Sequence, residues 1–196
     1  MYTLAPDYVY TVDGLRSNLL IRISDEGYIE EIIPRDPASE ISHPLPGIAL
    51  LPGFVNAHSH VFQRALRGHT HRPLSRQDTF WTWRNAMYTA AARLDPDLLY
   101  TSALQTYREM LAVGYTTVGE FHYIHHQQGG QPYASPNAMA EALLQAARAA
   151  GIRVVILMTA YAQSGFDRKP EEPQLRFCDP SVEVYLERVE SLRSVG

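Results

Sequence analysis

Ile48-Ala49-Leu50-Leu51-Pro52-Gly53-Phe54-Val55-Asn56-Ala57-His58-Ser59-His60 opens as an apolar run and closes on two histidines. The run predicts a strand over 48–58, and it marks the point where the pattern of the chain changes. In an extended strand, residues two apart point to the same face about 6.6 Å from each other, so both imidazoles can converge on one cation. Neutral imidazole is a ligand for zinc and for other borderline divalent metals. His58 and His60 are therefore the candidate metal ligands.

Upstream, residues 1–50 alternate short β patterns with turns. Leu19–Ile23, the turn Asp25-Glu26-Gly27 and Tyr28–Ile33 predict a hairpin. Prolines at 34, 37, 44 and 46 then punctuate the connection out of a small β-rich unit. Downstream, a turn-rich stretch from Gly68 to Asp78 precedes an aromatic cluster from Phe80 to Tyr88. A helix is predicted from Pro96 to Val113, with Asp95 as its cap and Gly114 at its end. Tyr115–Phe121 reads as a second strand and Arg153–Ala160 as a third, apolar on both faces like a buried parallel strand. A helix opening at Ser135-Pro136 and closing at Gly151 lies between them, and Asp179-Pro180 starts another.

Strands followed by helices imply a parallel sheet. The expected fold class is α/β, with 51–196 as the first three units of a (β/α)8 barrel after a small β unit at 1–50. A complete barrel needs eight strands and about 250 residues, so the barrel is expected to be incomplete within this chain. The ends of barrel strands build active sites, and His58 and His60 stand at such an end.

Composition narrows the function classes. With 45% hydrophobic and 19% charged residues the chain reads as a soluble globular protein. A formal charge of -4, with 17 scattered basic residues, argues against nucleic acid as a partner. No apolar run approaches the roughly 18 residues that span a bilayer, and Met1 is not followed by a signal-like segment, so a cytoplasmic protein without a membrane partner is expected. Cys178 is the single cysteine, which leaves no disulfide framework and no CxxC knuckle; it is expected to be a plain packed or surface thiol.

Leu51-Pro52-Gly53-Phe54-Val55-Asn56-Ala57-His58-Ser59-His60 is similar to the LPG-x-x-(N/D)-x-H-x-H signature of the amidohydrolase superfamily. Three further stretches, His60–Ala65, Phe80-Trp81-Thr82-Trp83-Arg84 and Gly119–His126, resemble its formimidoylglutamate deiminase branch. The resemblance covers essentially the whole chain and about the first half of a typical member. It implies a barrel preceded by a β-sandwich assembled from both chain ends, with His58 and His60 as the first two zinc ligands. The reaction it implies is hydrolytic deimination of N-formimino-L-glutamate to N-formyl-L-glutamate and ammonia in histidine breakdown. It also implies a small dicarboxylate as substrate and a homodimer for the complete enzyme. Iron, nickel or manganese could replace zinc at an imidazole pair. The family's later histidine ligands, its acid–base Glu and its last-strand Asp match no position here, so no catalytic residue is expected within this chain.

Gln63, Arg84 and Tyr123 match family positions that contact substrate. Arg84 suits a dicarboxylate, because a planar guanidinium can clamp a carboxylate bidentately; the alternative is a surface arginine beside Trp81 and Trp83. Gln63 and Tyr123 supply neutral donors and acceptors, and a structural hydrogen-bond role fits each equally well. Glu120 could hydrogen-bond a ligand histidine or be a buried structural carboxylate. Among His122, His125 and His126, one could line the pocket and the others read as ordinary loop residues. His69 and His71 form a second HxH in a turn-rich stretch, expected to be solvated. Two rival readings remain: a superfamily deaminase acting on a ring C–N bond, and a non-catalytic fragment or half-barrel interaction module.

Overall fold

A computed structural model describes residues 1–68 and 80–194; His69 and His71 lie outside them. The chain divides into two compact units, Met1–Gly53 and Phe54–Gly196. The first contains β1 (Tyr2–Thr11), β2 (Gly14–Ser17), β3 (Leu19–Ile23), β4 (Ile29–Pro34) and β5 (His43–Leu50). They form one sheet ordered β2-β1-β3-β4, with β5 pairing parallel to β1. The expected hairpin is β3–β4, antiparallel, and Gly27 takes the positive φ of 85° in its turn. Its small core gathers Val9, Ile21 and Ile23, with Leu4, Leu19 and Leu50 packed against them.

The apolar run over 48–58 is split. Ile48, Ala49 and Leu50 end β5, where Leu50 pairs with Val9, and β6 begins only at Phe54. Pro52 has no N–H to donate to a ladder, which breaks what reads in sequence as one strand.

In the second unit β6 (Phe54–Ser59), β7 (Tyr115–His122) and β8 (Arg153–Met158) form a parallel sheet in that order. The helices are α1 (Phe80–Ala92), α2 (Pro96–Ala112), α3 (Ala138–Ala150) and α4 (Val182–Arg193). Asp95 caps α2 by accepting the Leu98 N–H at 2.8 Å, and Gly114, at φ 92°, ends it. Leu99, Ala103 and Tyr107 of α2 meet Met139, Leu143, Ala146 and Ala147 of α3 and Val118 of β7 in one core. The alanines of α3 keep that face thin enough for close packing.

Two expectations are corrected. α3 starts at Ala138 rather than at Ser135-Pro136, because the Ser135 hydroxyl turns to the Glu141 carboxylate at 2.8 Å. α4 starts at Val182, with Ser181 accepting the Val184 N–H, while Asp179 is drawn into a buried ion pair. β8 alternates exposed with half-buried side chains, Val155 and Leu157 being 56% and 41% exposed, so its apolar surface is uncovered on the face that the helices do not reach.

Candidate active site

His58 sits on β6 and His60 immediately after it, ahead of a 3₁₀ turn at Val61–Leu66. Their Nε2 atoms lie 2.9 Å apart. His60 Nδ1 lies 3.0 Å from the Phe121 carbonyl on β7, and donating there leaves Nε2 as a bare lone pair. Burial holds His60 below the ordinary histidine range, only partly countered by that carbonyl, which favours the neutral imidazole.

The strand backbone shapes this pair. The β6–β7 register is irregular between Asn56 and Ser59, the kind of local bulge that re-aims side chains beside active sites. Gly119 of β7 faces the irregularity, and a Cβ there would stand 3.0 Å from the Ala57 carbonyl oxygen. Only a glycine admits so close an approach without a shift of backbone.

Among the described residues no three or more His, Cys, Asp or Glu side chains gather as a metal cage. The donor set is two converging imidazoles with one tautomer fixed from behind, which suits a borderline divalent ion and supplies half of a tetrahedral shell.

Glu120 takes the structural alternative. It is 2% exposed, and its Oε1 accepts the Val61 N–H at 2.8 Å, with the Ser59 side chain also bonded to it. It thus ties down the main chain on either side of His60, while the imidazole itself is held by Phe121. Burial pushes this carboxyl up to about 7.

Gln63 and Tyr123 come together beside the histidines. Gln63 Nε2 donates to the Tyr123 hydroxyl at 3.2 Å, and the Tyr123 ring meets His60 edge-on at 5.5 Å. Burial pushes the Tyr123 phenol up to about 12, so it keeps its proton. Arg84 lies on α1, its guanidinium 4.6 Å from the Trp81 ring and 5.4 Å from the Tyr88 ring. Nη2 stands 3.8 Å from Glu171, and buried Nε has no hydrogen-bond partner among the described residues. Tyr88, Phe177 and Tyr123 link this arginine to the histidines by ring contacts of 6.0 and 5.2 Å.

His122, His125 and His126 are not ordinary loop residues; they are 5%, 1% and 3% exposed. His125 Nε2 meets the Thr159 carbonyl at 2.9 Å, and His126 Nε2 meets Asp179 Oδ1 at 3.0 Å. Asp179 also pairs with Arg188 at 3.0 Å, both side chains being 5% exposed. Burial, with help from the Arg188 charge, depresses His125 to about 3. Between the ordinary value near 6.5 and that value, the unfolded chain binds a proton that the folded chain refuses, so this histidine costs stability as pH falls. Urea titrations from pH 7 to 4 should show stability declining with a steeper slope for the parent than for His125→Gln. Equal slopes would show that His125 does not titrate this way.

Sequence reading missed the Phe121 carbonyl, Glu171, Tyr88 and Gln174. A main-chain acceptor carries no residue signature, and Glu171 and Gln174 are brought to Arg84 and Tyr88 of α1 by the 3₁₀ segment Glu172–Phe177, which has no hydrophobic period to announce it.

A model of the Amidohydrolase family matches residues 49–194. The chain belongs to this family. It is 43% identical over 183 residues to the formimidoylglutamate deiminase of Pseudomonas aeruginosa, covering 93% of this chain and 40% of that protein. A 5-methylthioadenosine/S-adenosylhomocysteine deaminase of Syntrophobacter fumaroxidans is 28% identical, over 72% of this chain and 28% of its own length. Among solved structures, an amidohydrolase from Brucella melitensis superposes with a TM-score of 0.91 at 33% identity, over 99% of this chain and 43% of that one. The zinc complex of atrazine chlorohydrolase TrzN from Arthrobacter aurescens shares the fold at a TM-score of 0.71 and 22% identity, over 99% and 43% of the two chains. This chain therefore spans well under half the length of these relatives. No helix among the described residues is long and apolar enough to cross a membrane.

Proposed function

We propose that the chain forms the N-terminal part of a metal-dependent deiminase that hydrolyses N-formimino-L-glutamate to N-formyl-L-glutamate and ammonia. The observation that carries this reading is the convergence of two imidazole nitrogens, 2.9 Å apart, beside the hydrogen-bonded Gln63–Tyr123 pair. Likeness to the Pseudomonas aeruginosa deiminase supports the substrate. Residues 51–196 would be the first three units of a (β/α)8 barrel. The single sheet at 1–50 would be one layer of a composite sandwich, since a lone sheet needs a second layer to bury its face. A homodimer is what the family resemblance implies for the complete enzyme.

His58 and His60 would hold the ion, zinc in the first instance, with iron, nickel or manganese also compatible with imidazole. When bound, a divalent ion polarises the substrate and activates water at neutral pH. The chain's own residues would bind and orient. Arg84, stacked on Trp81 and only loosely paired with Glu171, receives a substrate carboxylate; Gln63 and the protonated Tyr123 supply polar contacts at the reacting end. Water adds to the formimino carbon and the C–N bond to the imino nitrogen breaks as ammonia leaves. The acid that protonates the leaving nitrogen is not among these residues.

Arg84 provides the test. Arg84→Lys keeps the charge and loses the planar fork, so in the complete enzyme it should cost about 2 kcal/mol, roughly thirty-fold in KM. Steady-state kinetics on formiminoglutamate would measure this. Unchanged KM for both Arg84→Lys and Arg84→Ala would remove Arg84 from the site, and rapid turnover of a ring substrate without carboxylates would overturn the substrate assignment.

A further inference from the structure

Gln174 is 0% exposed and sits in the 3₁₀ segment Glu172–Phe177. A buried amide must place its N–H groups and its carbonyl on partners or pay for their desolvation. Here all are placed. Nε2 donates to the Tyr88 hydroxyl and to the Tyr161 hydroxyl, each at 2.9 Å, and Oε1 accepts the Glu171 N–H at 2.7 Å. Two of these partners belong to residues that flank Arg84. Tyr88 follows Arg84 by four residues on α1, which puts both on one helix face with the ring beneath the guanidinium. Glu171 carries the carboxylate 3.8 Å from Nη2. Trp81 stacks on the guanidinium from the same helix at 4.6 Å, and none of the three contacts fixes it as a short bidentate pair would, so its orientation also depends on where the Tyr88 ring and the Glu171 carboxylate are held.

We infer that Gln174 is a positioning residue for substrate recognition: it holds Tyr88 and Glu171 so that the Arg84 guanidinium faces a substrate carboxylate. The inference rests on the proposal that Arg84 binds a carboxylate, and assigns to a residue that touches no substrate the task of aiming that grip. A leucine at 174 fills nearly the same volume, frees both phenols and the Glu171 N–H, and leaves Arg84 in place with its seat loosened.

In the complete enzyme, Gln174→Leu should raise KM for formiminoglutamate about tenfold, the scale of one net hydrogen bond, with little change in kcat. The N-formimino derivatives of 2- and 4-aminobutyrate each lack one of the two carboxylates, and for whichever lacks the clamped one the increase should vanish. Combined with Arg84→Ala, Gln174→Leu should add nothing further. A packing role would instead lower activity on all three substrates and add to Arg84→Ala, and that result overturns the inference. If Gln174→Leu does not fold, Tyr88→Phe decides: it keeps the ring and loses the hydroxyl, and an unchanged KM overturns the inference. If Gln174→Leu leaves KM unchanged while Arg84→Ala raises it, Gln174 is excluded and the carboxylate-binding reading stands; if Arg84→Ala has no effect, that reading falls and the inference with it.

Discussion

Replacing His58 and His60 together by alanine should abolish zinc binding, the largest change expected from any substitution in this chain. The two Nε2 atoms converge to 2.9 Å, and among the described residues no group of three or more His, Cys, Asp or Glu forms a fuller cage. Losing a ligand should weaken binding by more than the roughly 10–100-fold seen when an outer-shell partner is removed. The 196-residue chain by itself should bind zinc weakly, because two donors leave half of a tetrahedral shell to water. Elemental analysis after dialysis should then find less than one equivalent in the parent and none in the double variant. One full equivalent that survives a chelator and is indifferent to the double substitution would show that the metal sits elsewhere.

The largest loss of stability should follow Asp179→Ala. Arg188 is buried to 5% exposure, and Asp179 is its ion-pair partner as well as the acceptor for His126. Taking the carboxylate away strands a guanidinium in a dry interior, which costs about 3–5 kcal/mol when one half of a buried pair is removed. For a chain of this length that corresponds to a fall in Tm of roughly 10 °C. Differential scanning calorimetry would read it directly. A loss under 1 kcal/mol would mean that Arg188 finds solvent or another acceptor, and that the pair does not anchor α4 beneath the end of β7.

Much of this was legible in sequence wherever a residue acts through local chemistry. Asp95, Pro96 and Gly114 bound α2 because capping, ring-constrained φ and a left-handed residue are short-range effects. Strand periodicity nominated His58 and His60 as a pair, while the way their rings meet is set by the end of β6 at Ser59 and the register irregularity before it. The start of α4 was not legible, because Asp179 has the composition of a cap and is claimed by Arg188 and His126 from across the fold. The exposed apolar side chains of β8 are what three strands of a larger barrel leave uncovered. Periodicity reports which residues could be buried, and the helices of this unit reach only one side of the sheet. Gln63 and Tyr123 could be nominated from sequence, but their mutual hydrogen bond depends on a 3₁₀ turn that has no periodic signature.

Gly119 has a consequence for redesign. His58 follows Ala57, whose carbonyl oxygen would meet a Cβ at 119 at 3.0 Å, so the close approach of β6 to β7 beside the proposed ligand pair depends on a missing side chain on the neighbouring strand. Cations differ in radius by tenths of an ångström, the same scale as the displacement that a methyl group at 119 would demand of the Ala57 carbonyl. Tuning this scaffold toward a larger or smaller ion would therefore begin with the spacing of the strands, before any exchange of the ligands.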